Sequence, residues 1–330
     1  MNYVKHIGGE FSSNKFIKKN NFLKNYKKGT WTLSGRYSLE ILLKKNSHLL
    51  DKNIYIPIFN CPSVLQVIKK YFKKVHFYDL DLNFNPKLKK TKKNSLILLV
   101  NYFGLQNTDN KSNFTIEDLS HCFLDKKKLD KKKFYFMSLR KFGIFNYGGW
   151  SNANIKTNLI KKNIRLMENY RKNKHDYLTS LKNDQKTELK LLKELKIQEK
   201  KITSEKVTIE KKQLSIITNK KLNIIKMIRK KNYNFLKKNV KRSYFDIKFN
   251  KNNTPLFFFL KFLSKNQRDA FRKKLKIKKI FCPILWKINR KYLNKYPTSK
   301  MLAEHLLPIP IDHRISKPEL KYIINNINSL

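Results

Sequence analysis

Two apolar runs end in side chains able to do chemistry. "TIEDLSHC" (115–122) carries Asp118 and His121, and "FMSLRKFG" (136–143) carries Ser138 and Lys141. If both runs are strands of one sheet, their polar ends meet at one edge, where α/β sheets gather ligands. An acid, an imidazole, a hydroxyl and an amine would then share a pocket. A lysine there, partly desolvated and near other cations, has its ammonium form disfavoured and becomes a nucleophilic amine. A buried carboxylate needs a cationic partner, and a protonated pyridine nitrogen is one candidate. Taken singly, each residue has a plainer role open to it. An Asp at a strand end caps turns and helices, a lone His is commonly structural, and Lys141 is one cation among 75 Lys plus Arg. Only the joint arrangement lifts them.

A third stretch, "TWTLSGRYSLEILLKK" (30–45), reads as a turn at "SGR" opening a helix with Leu39, Leu42 and Leu43 on one side. A small-residue turn at a helix start presents free backbone N–H groups and the positive dipole end, a site for a phosphate. A plain Ser N-cap has the same appearance.

The elements that must position these groups follow from periodicity. "NIYIPIF" (53–59), "KVHFYDL" (74–80), "SLILLVNYF" (95–103), "NFTIEDL" (113–119) and "KFYFMSL" (133–139) read as buried strands. "CPSVLQVIKKYF" has helical spacing and fits a crossover between the first two. This alternation implies an α/β class with a mostly parallel sheet. No glycine or proline occurs between Gly149 and Pro255, and two stretches there, 159–181 and 221–240, have apolar positions near a 3.6 period. The charged middle, 186–212, reads as a solvated helix pair or connector. A second, smaller α+β unit follows: strands at 254–262 and 278–285, a helix at 265–275 between them, "HLLPIPI", and a closing helix from 317.

The formal charge of +52 would ordinarily point to nucleic acid or an anionic membrane. Here the lysines run from end to end beside an excess of Asn, Ile, Phe and Tyr, the residues of A/T-rich codons. Genome composition accounts for that charge as well as ligand selection does. Cys61, Cys122 and Cys282 are widely spaced, with no CxxC pair, which argues against a disulfide framework or a zinc site. The N-terminal stretch has no apolar signal region and no run suits a membrane span, so a cytoplasmic protein is expected.

The ordered series "SGRYSLE", "YIPIFNCPSV", "HFYDLD", "VNYFG", "IEDLSHC" and "SLRKFGIFNYGGW" resembles the DegT/DnrJ/StrS-type family of pyridoxal-phosphate aminotransferases. "RKKNYNFLKK", "PLFFFLKF", "CPILW" and "LLPIPIDHRISKPELKYIINNI" are similar to that family's small domain, so the likeness spans nearly the whole chain apart from the charged middle. The resemblance implies the fold-type-I architecture, with an N-terminal arm (1–29), a cofactor-binding large domain (30–215) and a small C-terminal domain (216–330). It implies that Lys141 carries pyridoxal phosphate and moves protons once a substrate amine displaces it. Asp118 would keep the pyridine nitrogen protonated, and His121 would sit beside the ring's phenolic oxygen. Gly35 and Arg36 would bind the phosphate through backbone amides, with Ser138 adding a hydroxyl. Cys61 stands where the family places an aromatic ring over the cofactor. The Gly-Tyr-Asn segment of members acting on nucleotide sugars has no counterpart after Lys141. A lysine at 141, where the dehydratase branch has histidine, points to amine transfer.

The expected activity is transfer of an amino group from an amino acid, glutamate foremost, to a keto or aldehyde acceptor. The resemblance suggests a nucleotide-linked keto sugar for surface polysaccharide, handled by a homodimer with no specific nucleic acid or membrane partner. Two other readings exist: a relative without catalysis that serves as a scaffold, and a basic nucleic-acid binder, which predicts steeply salt-dependent binding.

Overall fold

The computed structural model describes residues 7–8, 26, 28–88, 91–92, 94–105, 114–125, 129–145, 147–155, a few between 169 and 209, 219–249 and 252–330. Most of the expected N-terminal arm, the helical stretch 159–181 and the charged middle 186–212 lie outside the described residues.

In chain order the strands are β1 (Ile7–Gly8), β2 (Thr30–Thr32), β3 (Ile54–Pro57), β4 (Val75–Leu80), β5 (Pro86–Lys87), β6 (Leu96–Val100), β7 (Thr115–Asp118), β8 (Phe134–Ser138), β9 (Gly149–Ser151), β10 (Tyr244–Phe245), β11 (Phe257–Lys261), β12 (Ile280–Phe281) and β13 (Leu306–Pro310). The helices are α1 (Gly35–Lys45), α2 (Pro62–Tyr71), α3 (Asn219–Asn239), α4 (Lys265–Ile277), α5 (Pro297–His305) and α6 (Lys317–Ser329).

The large sheet runs β2-β9-β8-β7-β6-β3-β4-β5. Its middle, β8 to β4, is parallel, while β2, β9 and β5 close the edges antiparallel. The parallel part explains the sequence pattern: β6 reads LILLV with every residue buried, because both faces are covered. On one face α1 and α2 seal a core of Leu39, Leu42, Ile54, Val67, Leu98 and Phe136. The other face buries Phe59, Leu99, Tyr102, Phe103, Leu119 and Met137 beneath segments from the C-terminal unit. That unit is a β10-β11-β13 antiparallel sheet packed with α3, α4 and α6 around Phe258, Leu260, Leu307 and Ile323.

Local chemistry sets the helix starts. Ser34 caps α1, its Oγ accepting from the Tyr37 amide at 3.3 Å. Pro62 opens α2, where a missing N–H costs nothing. Ser316 and Glu319 form a reciprocal capping box on α6.

Several expected boundaries need correction. The strand expected over 278–285 is reduced to Ile280–Phe281, which pairs in parallel with Ile7–Gly8; Pro283 lacks the N–H that would continue a ladder. The strand expected over 95–103 ends at Val100, and Phe103 turns left-handed (φ 51°, ψ 25°). The residues before the expected turn at Ser34–Arg36 form strand β2, held against β9, which was not foreseen. Helix α5 was not foreseen, since its nine residues carry too little apolar periodicity to stand out.

Candidate active site

The parallel pairing of β7 with β8, Asp118 opposite Phe136, brings both polar ends to one sheet edge, as the sequence pattern required. Asp118 is the last residue of β7 and is buried. Its Oδ1 accepts from the Ser120 amide at 2.8 Å, while its carbonyl accepts from the Asn101 amide at 3.1 Å. Burial raises the Asp118 carboxyl above its ordinary value; the Ser120 hydrogen bonds and the Lys141 charge oppose that and do not cancel it.

The chain then turns through 119–125, and the Ser120 Oγ accepts from the Ser138 amide at 2.9 Å, locking the two strand ends together. His121 sits on this turn, buried. Its ring lies parallel to Trp286, with centroids 5.6 Å apart and planes 5° apart, and is stacked on Phe103 at 5.2 Å. Nδ1 is buried with no hydrogen-bond partner among the described residues. Burial, with the Lys141 charge adding, holds the imidazole pKa well below its ordinary value, so the ring is neutral near pH 7.

Gly35 lies against Ser138, so the start of α1 and the end of β8 form one cradle. A β-carbon on Gly35 would meet the Ser138 Cβ at 2.8 Å and the Met137 carbonyl at 3.1 Å. The helix N-terminus and the Ser138 side chain are thus neighbours, a donor set suited to phosphate. Arg36 follows, half-buried, in the first turn of α1.

Lys141 stands on a short 3₁₀ turn, Leu139–Phe142, whose Leu139 and Phe142 are buried. The sequence pattern anticipates a partly desolvated lysine; the structure instead leaves Lys141 exposed, because the apolar neighbours take the inward positions of a tight turn. Its charge nevertheless bears on both Asp118 and His121. Gly143 ends the turn at φ 67°, with the Arg314 guanidinium against it. Beneath it Arg229, fully buried, donates to the Phe142 carbonyl at 2.9 Å and to the Leu256 carbonyl at 3.3 Å.

Cys61 is at the same sheet edge but packs with the α1/α2 core, its Sγ 3.1 Å from the Ser63 Oγ. The flat rings beside His121 are Trp286 and Phe103 instead. Neither was picked out from sequence as a site residue. "CPILW" was visible, but nothing local says that its tryptophan crosses to a turn 165 positions earlier. The left-handed Phe103 has no sequence signature beyond the glycine that follows it. Asn101, Ser120, Arg229 and Arg314 were also missed, each acting through contacts distant in sequence or through backbone.

Comparison with known structures agrees with this fold. CalS13 from Micromonospora echinospora, a sugar aminotransferase, superposes with a TM-score of 0.61 at 10% identity, over 100% of both chains. A DegT DnrJ EryC1 StrS aminotransferase from Brucella abortus gives 0.57 at 16% identity, over 96% of this chain and 91% of that one. DesV of S. venezuelae, in complex with a ketimine intermediate, gives 0.60 at 13%, over 93% and 86%.

The chain shares the fold of these aminotransferases.

No family model matches the sequence, and no curated protein matches it. The fold-type-I architecture implied by the resemblance is the architecture observed. The edge carrying Asp118, His121, Ser138 and Lys141 brings together a buried carboxylate, an Nδ1 with no hydrogen-bond partner among the described residues, a glycine–serine cradle and an exposed amine. No helix among the described residues is long and apolar enough to cross a membrane.

Proposed function

We propose that the protein is a pyridoxal-phosphate-dependent aminotransferase that moves an amino group from an amino acid, with glutamate as the donor, to a carbonyl on a sugar. The observation that carries this reading is the convergence of buried Asp118, neutral His121 and accessible Lys141 at one sheet edge. The proposal extends to a nucleotide-linked keto sugar as acceptor, surface-polysaccharide synthesis, a homodimer, a cytoplasmic location and the three-part division at 29/30 and 215/216.

When bound, pyridoxal phosphate supplies an aldehyde for amine capture and an electron-withdrawing ring. The protein's own groups do the rest. Asp118, buried without a lysine or arginine in hydrogen-bond contact among the described residues, holds a proton on the ring nitrogen, and that cation repays the cost of its burial. His121 offers Nδ1 to the ring's phenolic oxygen. The Gly35 end of α1 and the Ser138 hydroxyl hold the phosphate. With the cofactor bound, the Lys141 Nζ would take the proton from the donor's α-carbon and, in the acceptor half, deliver a proton to the carbon that receives the amine. Its exposure suits a group that must both bond and swing free.

The test is a visible absorption spectrum of purified protein with added pyridoxal phosphate, beside a Lys141→Ala variant. The reading expects a lysine-bound cofactor band in the wild type, absent in the variant and bleached by glutamate. No band in either protein rejects it and leaves the scaffold reading standing.

A further inference from the structure

Trp286 belongs to the segment between β12 and α5, yet its indole reaches the turn that follows β7. There it forms a triangle of near-parallel rings with His121 and Phe103. The Trp286 and His121 planes are 5° apart, Phe103 and His121 21°, and Phe103 and Trp286 21°, with centroids 5.2 to 6.2 Å apart. Phe59 meets the indole edge-on at 5.0 Å, and Tyr102 lies at 6.0 Å. Offset-stacked and edge-on arrangements are the preferred geometries of ring pairs, so these contacts favour one orientation of each ring.

The position of Phe103 is itself enforced. Its left-handed backbone is uncommon for a bulky residue and persists where its surroundings over-determine it. The Leu256 amide donates to the Phe103 carbonyl at 3.0 Å, and the Asn253 Nδ2 donates to the Gly104 carbonyl at 2.9 Å. Gly104, at φ 104°, has the Thr254 carbonyl where a β-carbon would be. The turn bearing His121 is tied to the same segment, since Asp125 accepts from the Thr254 amide and hydroxyl at 2.7 Å each. The 253–256 segment therefore registers Phe103 and His121 together, and Trp286 lies parallel to both rings.

We propose that Trp286 is a positioning residue: its indole, with Phe103, sets the plane of the His121 ring so that Nδ1 is presented to the cofactor instead of to protein. The inference rests on the proposed cofactor reading for its consequence, although the ring arrangement stands without it. A planar ring at 286 fixes the imidazole; a small side chain leaves it to rotate and lets water reach it. Lys141 is the charge that bears on the imidazole, and it is unchanged by substitution at 286.

The experiment compares wild type, Trp286→Phe and Trp286→Ala in two measurements. The first titrates pyridoxal phosphate by its visible band. The second titrates the His121 ring by NMR in cofactor-free protein, assigned with His121→Gln. Trp286→Ala is expected to weaken cofactor binding about tenfold or more, as loss of an orienting neighbour does elsewhere. It should also raise the His121 midpoint toward the ordinary histidine value. Trp286→Phe is expected to restore most of both. Unchanged binding and unchanged titration in Trp286→Ala overturn the proposal, as does a Phe variant as impaired as Ala. If Ala does not fold, the Phe variant decides alone: retained affinity and midpoint support the proposal, and a tenfold loss overturns it. If the wild type shows no cofactor band, the functional reading fails, and the His121 titration, which needs no cofactor, still decides whether Trp286 holds the ring.

Discussion

Gly35 and Ser138 meet so closely that a β-carbon on Gly35 would stand 2.8 Å from the Ser138 Cβ and 3.0 Å from the Ser138 amide nitrogen. The start of α1 and the end of β8 are thereby held as one surface, with the Ser34 cap and the Ser120–Ser138 hydrogen bond fixing each side. Gly35→Ala is expected to displace one from the other, at about 1–3 kcal/mol as for other overpacked sites. Cofactor titration should show affinity falling at least about tenfold, the energetic equivalent of about 1.4 kcal/mol. An Ala variant that binds as well as the wild type would remove the cradle from the phosphate site.

Asp118 carries a different trade. Its carboxyl pKa is raised by burial, so the fold favours the protonated form. A group with a raised folded pKa contributes stability that is present below the unfolded value, 3.8, and is lost as pH climbs through the folded value. Asp118→Asn removes the ionisation. The cofactor-free variant should match wild type near pH 3 and exceed it at pH 7, by about 1–3 kcal/mol, the scale for a poorly compensated buried polar group. Turnover should fall about a hundredfold or more, because an amide cannot hold the ring-nitrogen proton. Thermal melts across pH 3–8 and steady-state rates check the two halves separately.

Asp312 has the opposite sign. Burial alone would raise its pKa, but the charge and hydrogen bond of Arg314, with Arg229 and His313 adding, hold it at about 2. Its stabilising effect is present above the unfolded value of 3.8 and is lost as pH falls through about 2. Asp312→Asn should cost about 2 kcal/mol at pH 7, and the gap should close between pH 4 and 2. Denaturant midpoints at pH 2, 4 and 7 measure this.

Asp125 and Thr254 join the His121 turn to the C-terminal unit across 129 positions. Lys226 adds an ion pair at 3.2 Å. Thr254→Val keeps the amide bond and deletes the hydroxyl one, leaving a buried carboxylate oxygen short of a donor. A loss of about 1–3 kcal/mol is expected by chemical denaturation. A variant as stable as wild type would show that Lys226 satisfies the Asp125 Oδ1 without the Thr254 hydroxyl.

Much of this was legible in the order of residues. Alternation of all-apolar runs with helical spacing announced a covered parallel sheet, because strands buried on both faces have no polar positions to interrupt them. Polar residues at the ends of two such runs place Asp118, His121, Ser138 and Lys141 at one edge, since neighbouring parallel strands end on the same side. The small-residue turn at Ser34–Gly35 marked a helix start for a reason local to the chain.

Tertiary structure alone decided the rest. That Lys141 is exposed depends on which side chains of a short turn the core accepts, and sequence spacing does not specify this. That Trp286 faces His121, that Phe103 adopts a left-handed backbone, and that Arg229 lies under the lysine turn all come from contacts between segments distant in sequence. Periodicity reports how a residue faces its own element; it carries no information on which distant element packs against it. The sequence by itself determined the layers and the edge where chemistry gathers, and packing determined which rings and cations surround it.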